Sequence, residues 1–266
     1  AVTTVSPTYA QEIQTAYYGH RLDSVLRANN YKLHGILNGI DMESLTPMTD
    51  PALFVNYGPK KPKGKLENKL KLLELCGLEG DENVPVIGMV SRFADHKGFD
   101  LLEAVLDDLL QDDVRLIVLG KGEWRYEQMF LEAKRRYPDK ISASIMFSSE
   151  MAQRIYAGSD MFLMPSKSEP CGLAQMISLR YGTIPIVRET GGLRDTVTAF
   201  VDYLGTGNGF TFASYNAHDM LHVIREACEV FRNNKDAWKK LVLGGMESDF
   251  SWDSSADQYI ELYQSI

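Results

Sequence analysis

Two strand–loop–helix units in tandem decide the fold: GSDMFLMPSKSEPCGL (158–173), an apolar helical segment, and then PIVRETGGL (185–193). The apolar run Met161–Met164 is ended by Pro165, which is typical of a buried strand followed by a loop. A helix with apolar residues at helical spacing comes next. The second strand, Ile184–Val187, runs into a glycine pair and another helix start. This pattern places two helix N-termini at one edge of a sheet.

Unpaired backbone N–H groups at a helix N-terminus favour an anion, and glycines let the backbone approach it closely. The sequence therefore predicts two anion-facing backbone sites. The first comprises Cys171, Gly172 and Leu173, and the second comprises Thr190, Gly191 and Gly192. A plain turn remains the alternative for the glycine pair. A catalytic role for the Cys171 thiol is disfavoured, because no histidine base lies near it in sequence.

The composition indicates a soluble globular protein with a sizeable core, since 44% of the 266 residues are hydrophobic and 24% are charged. A formal net charge of −8 argues against a nucleic-acid or membrane-surface partner. Cys76, Cys171 and Cys228 lack metal-ligand spacing, which favours a cytoplasmic location. No apolar run is long enough for a transmembrane helix. The chain starts without Met in a strand-like segment, so we expect a fragment of a longer protein.

Strands and helices alternate regularly after residue 68, which indicates an α/β domain. The predicted strands are Val84–Val90, Val114–Leu119, Ile141–Phe147, Met161–Met164, Ile184–Val187 and Phe210–Phe212. Helices are predicted before, between and after these strands. Continuous apolar strands favour a parallel sheet covered on both faces. Right-handed crossovers then give a doubly wound, Rossmann-like fold with ligands at the carboxyl ends of the strands.

Eight short motifs are spread along the chain. They are Ser168–Leu173, Arg180–Thr183 and Thr190–Val197, with Thr4–Ala10, Leu37–Asp41, Ser91–Phe93, Lys97–Gly98 and Phe250–Trp252 elsewhere. These motifs resemble those of bacterial glycogen synthases and plant starch synthases. Each motif alone would be weak evidence. Together they cover nearly the whole chain and are specific.

The resemblance implies a two-domain glycosyltransferase of the GT-B fold, of which this chain is the C-terminal part. Residues 1–41 would be the end of the N-terminal, acceptor-side domain, and residues 42–65 have the Pro-, Gly- and Lys-rich composition of an interdomain linker. Residues 66–250 would form the nucleotide-sugar-binding domain. Residues 251–266 would be a helix that crosses back to the N-terminal domain, with packing on its own domain as the alternative.

The implied activity is that of a hexosyltransferase. It would transfer glucose from ADP-glucose to the non-reducing end of an α-1,4-glucan such as glycogen, with retention of configuration. The implied partners are these two substrates and the missing N-terminal domain, without which we expect little or no turnover. No histidine has metal-ligand spacing and no Asp-x-Asp pair occurs, so metal-independent transfer is expected, and no pyridoxal phosphate motif is found.

Three residues are the predicted catalytic groups. Arg92 follows the first strand of the predicted sheet, and Lys97 opens the next helix. The planar guanidinium of Arg92 and the compact ammonium group of Lys97 can therefore converge on one phosphate. By resemblance, both bind the donor diphosphate and stabilise it as a leaving group. Glu169 corresponds to the family glutamate that contacts the donor sugar. A carboxylate that only favours the helix dipole is the alternative.

Two further residues are candidates for substrate binding. Phe147 occupies the position where the family stacks an aromatic ring on the adenine, and a buried core residue is the alternative. Asn38 is expected either to reach the donor sugar from the hinge or to form an Asn-Gly hairpin turn with Gly39.

Other functions of α/β proteins would require other motifs. A dinucleotide dehydrogenase would need a Gly-x-Gly-x-x-Gly motif after the first strand, which SRFAD (91–95) does not supply. An α-glucan phosphorylase would need a lysine that binds pyridoxal phosphate. A non-catalytic glucan-binding or regulatory module, and the same fold with UDP-glucose as donor, remain open alternatives.

Overall fold

Two short parallel strands and the helices between them form the N-terminal unit of the computed structural model, which describes residues 1–265. Strand β1 (Val2–Thr4) pairs with β2 (Leu33–Gly35), and helices α1 (Pro7–Glu12) and α2 (Asp23–Ala28) lie between them in sequence. Ser6 caps α1 by accepting a hydrogen bond from the backbone N–H of Tyr9 at 2.9 Å.

The Asn38-Gly39 pair does not form the predicted hairpin turn, because the strand before it is paired in parallel. Gly39 instead lies against the backbone of Ser251 and Trp252, with which a side chain at residue 39 would collide. The backbone N–H of Ile40 donates to the carbonyl of Phe250 at 2.8 Å. Glycine is needed here for the close approach of two chain segments that are distant in sequence.

A six-stranded parallel sheet forms the rest of the fold. Its strands are β3 (Val86–Val90), β4 (Arg115–Gly120), β5 (Ile141–Ile145), β6 (Met161–Met164), β7 (Ile184–Arg188) and β8 (Phe210–Phe212). The helices are α3 (Lys63–Cys76), α4 (Phe99–Gln111), α5 (Trp124–Arg136), α6 (Ser149–Gly158), α7 (Ala174–Arg180), α8 (Gly191–Thr196), α9 (Ala217–Asn233), α10 (Lys235–Glu247) and α11 (Trp252–Gln264). The strand order is β5-β4-β3-β6-β7-β8, which confirms the predicted doubly wound sheet and places its switch point between β3 and β6.

Both faces of the sheet are covered, as the continuous apolar strands predicted. In β4, Leu116 and Val118 pack into the core beneath α4, α5 and α9, whereas Ile117 and Leu119 pack into the core beneath α3 and α6. Successive side chains of a strand point to opposite faces, so a strand that is buried on both sides must be apolar throughout.

Residues 42–62 contain no helix or strand, yet several of them are buried. Tyr57 is 2% exposed, and its hydroxyl donates to the carbonyl of Tyr181 at 2.7 Å. The hydroxyl of Tyr181 in turn donates to Asp50, which is 1% exposed, at 2.6 Å. The segment with linker composition is therefore packed against the sheet domain, and α3 begins within it, at Lys63.

Lys65 joins α3 to the ends of two other helices. Its ammonium group donates to the carbonyls of Ala157, Ser159 and Tyr181 at 3.2, 3.0 and 3.1 Å and to the hydroxyl of Thr183 at 2.8 Å. The carbonyls belong to the C-terminal regions of α6 and α7, where helix dipoles favour a cation. Burial nevertheless lowers the pKa of Lys65 to about 7.

This pKa predicts a specific dependence of stability on pH. The ordinary pKa of 10.5 applies to the unfolded chain, so between about pH 7 and pH 10 the unfolded state binds more protons than the folded state. The free energy of unfolding contributed by Lys65 should therefore rise with pH in this range, by at most about 1.4 kcal/mol per pH unit. Urea unfolding of the wild type and of Lys65→Met at pH 7, 8 and 9 measures the difference. Parallel pH profiles for the two proteins would contradict the assignment.

Helix α11 packs against the N-terminal unit. The hydroxyl of Ser255 donates to the carbonyl of Leu37, and Leu262 is 7% exposed. A cavity of about 540 Å³ lies between α11, α1 and β2. Within residues 1–265, we find no helix with the length and apolar character needed to cross a membrane.

Candidate functional site

Two adjoining cavities lie at the carboxyl ends of the sheet strands, beside the switch point. The larger, of about 680 Å³, lies over the ends of β3, β4 and β5 and at the start of α6. The smaller, of about 80 Å³, lies between the ends of β3 and β6 and the start of α7. Val90 and Ser91 line both cavities, so the two form one continuous site.

The loop after β3 carries Lys97 to the loop after β6. Residues 95–97 form a 3₁₀ turn, and Gly98 follows with a φ of 77°. A side chain on Gly98 would collide with the carbonyl of Pro165, so glycine permits both the left-handed conformation and the close approach. The backbone N–H of Lys167 also donates to the carbonyl of His96 at 2.9 Å. These contacts fix Lys97 beside the β6 loop.

Lys97 and Glu169 form an ion pair in the smaller cavity, with 2.6 Å between Nζ and Oε2. The hydroxyl of Ser166 donates to the same carboxylate oxygen at 3.1 Å. Glu169 is 7% exposed, so most of its contact with water is replaced by these two partners. A buried carboxylate held by a lysine and a hydroxyl is a preorganised polar group, and the lysine remains partly accessible.

Arg92 lies at the boundary of the larger cavity and is exposed. In the part of the chain that the structure describes, its guanidinium forms no ion pair. His96 lies near both cations, and burial together with the charge of Lys97 lowers its pKa. Arg92 and Lys97 both come from the loop after β3, and Lys121, which follows β4, is a third basic residue of the site.

In the first predicted backbone site, the N–H groups are not bound by other parts of the described protein. Among residues 1–265, the N–H groups of Cys171, Gly172 and Leu173 have no hydrogen-bond acceptor. Gly172 has a φ of 69°, and the side-chain amide of Gln175 donates to the carbonyls of Cys171 and Gly172 at 3.1 and 2.9 Å. This amide orients the loop with its N–H groups free. Burial raises the pKa of the Cys171 thiol, which opposes a role as a nucleophile.

The second predicted backbone site is closed by protein acceptors, so this prediction is corrected. The N–H of Gly191 donates to a carboxylate oxygen of Glu12 at 3.1 Å, and the hydroxyl of Thr190 donates to the same oxygen at 2.9 Å. The N–H of Gly192 donates to the carbonyl of Glu169 at 3.1 Å. The two glycines allow this loop to pack closely on residues 169–171, where side chains would collide with the carbonyls.

The predicted site residues thus divide into three groups. Lys97, Glu169, Gly172 and Leu173 line the smaller cavity; Arg92 and Phe147 line the larger; Asn38, Cys171, Thr190, Gly191 and Gly192 line neither. The backbone of Asn38 lies near the Cys171 thiol, where it opposes the rise of the thiol pKa that burial causes. Cys171 packs with Val5 and Leu37, next to the N-terminal unit.

Phe147 is 88% exposed and forms part of the wall of the larger cavity. This position excludes the alternative of a core residue. The lining of this cavity is mostly apolar and also includes Val90, Leu119 and Tyr156. An exposed ring beside an apolar slot is suited to a flat aromatic group such as a nucleobase.

The resemblance to glycogen and starch synthases implies that this cavity holds an adenine. Replacing Phe147 by alanine is then expected to weaken ADP binding about tenfold, because stacking of a base on an aromatic side chain is worth roughly 1–3 kcal/mol. Phe147→Tyr should bind as well as the wild type. Trp124→Ala is a suitable control, because Trp124 is also exposed but lies outside the cavity. Equal calorimetric affinities for Phe147→Ala and the wild type would exclude the stacking role.

Sequence reasoning missed several residues of the site. Ser166 holds Glu169, Gln175 orients the N–H groups, and Glu12 binds the glycine loop. Lys121 and Gln153 line the larger cavity. Ser166 and Lys121 follow a strand and Gln175 lies at a helix start, and these places could have marked them. Glu12, at the end of α1, and Gln153, within α6, have no such signal. Within residues 1–265, we find no group of three or more His, Cys, Asp or Glu side chains that could hold a metal ion.

Two protein families match the chain. The family described as "Glycosyl transferases group 1" matches residues 77–240, and the "Starch synthase catalytic domain" matches residues 1–28. The glycogen synthase of Clostridium acetobutylicum is 53% identical over the whole chain, and that of Thermosipho melanesiensis is 48% identical over 98% of it. The chain spans about half the length of these relatives, 56% and 54% respectively.

Solved structures agree with these matches. The catalytic domain of starch synthase IV from Arabidopsis thaliana, bound to ADP and acarbose, matches 99% of the chain with a TM-score of 0.93 and 38% identity. The chain covers 55% of that protein. Sucrose-phosphate synthase from Thermosynechococcus elongatus shares the fold, with a TM-score of 0.64 and 20% identity. The match covers 99% of this chain and 57% of the chain of that synthase.

Proposed function

The chain belongs to the glycosyl transferases group 1 family, and from this membership we propose that it is the donor-binding part of a glycogen (starch) synthase. The complete enzyme would transfer glucose from ADP-glucose to the non-reducing end of an α-1,4-glucan, with retention of configuration. The observation that carries the proposal is the Lys97–Glu169 ion pair, beside the exposed Arg92 and a cavity of about 680 Å³ with an exposed aromatic wall.

Each part of the site has a role in this reaction. The larger cavity would hold the adenosine against Phe147. Arg92, Lys97 and the free N–H groups of Gly172 and Leu173 would bind the diphosphate. Glu169 would accept hydrogen bonds from the hydroxyl groups of the glucose. Because negative charge grows on the diphosphate as the glycosidic bond breaks, cations fixed at this position stabilise the transition state more than the ground state.

The anomeric carbon acquires oxocarbenium character as the leaving group departs. Retention requires either a covalent glucosyl-enzyme or attack on the face that the diphosphate leaves. Among residues 1–265, Glu169 is the one carboxylate that lines either cavity, and it is assigned to the sugar hydroxyls, which leaves no carboxylate for the anomeric carbon. We therefore favour front-face attack, in which the departing phosphate accepts the proton of the acceptor hydroxyl. Mass-spectrometric detection of a glucosyl group on Glu169 would exclude it.

The remainder of the enzyme is proposed to supply the acceptor side of the cleft. Residues 1–41, with the match of residues 1–28 to the starch synthase catalytic domain, would be the end of that N-terminal domain. The chain alone is then expected to bind ADP with little or no transfer, and turnover of about 1 per second or more would contradict this. We further propose transfer without a metal ion or pyridoxal phosphate, in a cytoplasmic setting that three free cysteines favour.

Calorimetric titration of the chain with ADP and with UDP tests the proposal. We expect ADP to bind more tightly than UDP and both to weaken in Lys97→Ala. A preference for UDP would support the assignment as a transferase, with UDP-glucose as the donor in place of ADP-glucose. If neither nucleotide binds while maltoheptaose does, the chain is a glucan-binding module and the proposed donor site is wrong.

A further inference from the structure

Glu12, near the end of α1, binds the loop that follows β7. One of its carboxylate oxygens accepts hydrogen bonds from the hydroxyl of Thr190 at 2.9 Å and from the N–H of Gly191 at 3.1 Å. Its other oxygen is buried and has no partner among residues 1–265. The carboxylate is therefore held from one side by this loop, which is 178 and 179 positions away in sequence.

A second carboxylate, that of Asp195 in α8, binds the start of α1. Asp195, in α8, accepts a hydrogen bond from the N–H of Thr8 at 3.0 Å and others from the hydroxyls of Ser6 and Thr8. These donors lie at the start of α1, as Gly191 lies at the start of α8. Each short helix thus has its N-terminus bound by a carboxylate of the other, which is favourable for both helix dipoles. Two links in opposite directions fix the position and the orientation of the loop.

This loop in turn supports the backbone of Glu169. The N–H of Gly192 donates to the carbonyl of Glu169 at 3.1 Å and to that of Pro170 at 3.2 Å. Gly191 also lies so close to the Glu169 carbonyl that a side chain there would collide with it. A shift of residues 190–192 would therefore move the backbone that carries the Glu169 carboxylate.

We propose that Glu12 is a positioning residue for Glu169. Through Thr190, Gly191 and Gly192, it holds the Glu169 carboxylate at the place where the sugar of the donor binds. The inference rests on the proposed function, because it assigns the sugar contact to Glu169. It predicts that Glu12 affects recognition of the sugar more than recognition of the nucleotide, since Glu12 contacts none of Arg92, Lys97 and Phe147.

The test compares ADP with ADP-glucose, because the ratio of their affinities isolates the sugar contact. In Glu12→Ala, we expect the affinity for ADP-glucose to fall about tenfold more than that for ADP, the size of a lost hydrogen bond to a charged group. Glu12→Gln should stay within about twofold of the wild type, because its amide oxygen still accepts both hydrogen bonds. Gln11→Ala, an exposed neighbour on the same helix, is the control. Equal losses for both ligands in Glu12→Ala would overturn the proposal.

A double mutant tests whether Glu12 acts through Glu169. If it does, Glu12→Ala combined with Glu169→Gln should have the same affinity ratio as Glu169→Gln alone. An additional loss in the double mutant would show an independent role and would overturn the proposal.

Hydrogen exchange of the free chain provides a measurement that does not depend on any nucleotide. We expect amide exchange of Gly192, whose N–H donates to the Glu169 carbonyl, to accelerate about tenfold in Glu12→Ala and to stay at the wild-type rate in Glu12→Gln, with residues 86–90 unchanged in both. Unchanged exchange of Gly192 in a folded Glu12→Ala variant would overturn the positioning role. If the wild type binds neither ligand, the proposed function fails, and the exchange data still decide whether Glu12 positions this loop.

Discussion

Replacing Lys97 by alanine is expected to weaken ADP binding about 100-fold. Lys97 is the cation that two loops fix in place, since Gly98 packs on Pro165 and the His96 carbonyl accepts from residue 167. A hydrogen bond between charged groups contributes roughly 1.5–3 kcal/mol, and 1.4 kcal/mol corresponds to a factor of ten in affinity. In the transfer reaction the loss should be larger, about 3–4 kcal/mol, because the charge on the diphosphate grows in the transition state.

The same substitution should also lower the melting temperature. It leaves the Glu169 carboxylate, which is 7% exposed, with Ser166 as its remaining side-chain donor. Adding Glu169→Gln to Lys97→Ala removes the unpaired charge, so the double mutant should regain stability without regaining ADP affinity. Lys134→Ala, which removes one exposed positive charge from α5, is the matched control for the change in net charge. A Lys97→Ala variant that binds ADP like this control would refute the assignment of Lys97.

The elements of the sheet domain could be predicted from sequence because each strand is buried on both faces. The predicted strands Met161–Met164 and Phe210–Phe212 have the observed bounds, and Ile184–Val187 ends one residue early. A run of Val, Ile, Leu, Met and Phe ended by Pro or by polar residues marks such a strand without knowledge of its neighbours. Right-handed crossovers restrict the possible strand orders, but the reversal between β3 and β6 is seen only in the structure.

The partners of polar groups could not be predicted, because they depend on contacts between distant segments. The sequence marks Gly191 and Gly192 as positions where the backbone approaches something closely. It does not indicate that the acceptors are Glu12 and the Glu169 carbonyl rather than a ligand. In the same way, the sequence predicts a hairpin turn at Gly39, which instead faces the backbone of Ser251. A glycine indicates that space is limited but does not identify the neighbour.

The ion pair between Lys97 and Glu169 joins residues 72 positions apart and should affect the binding of both ADP and ADP-glucose. Lys97 is bound to the Glu169 carboxylate, so a diphosphate must compete with Glu169 for the ammonium group. Binding of the donor would move Lys97 towards the phosphates and leave the carboxylate oxygens available to the sugar hydroxyls. The resting ion pair therefore lowers the affinity for a nucleotide that carries no sugar.

Glu169→Gln is accordingly expected to bind ADP about tenfold more tightly than the wild type, since a charged hydrogen bond no longer has to be broken. The same variant should lose most of the additional affinity for ADP-glucose, and transfer should fall by about 100-fold or more because the sugar is no longer oriented by a carboxylate. Calorimetry with ADP and ADP-glucose measures the first two effects. Glu169→Asp is the matched variant: its charge is retained but its reach is shorter, so we expect weakened sugar binding without the gain in ADP affinity. If Glu169→Gln binds ADP no better than the wild type, then Lys97 does not exchange between the carboxylate and the phosphates, and the ion pair persists in the complex.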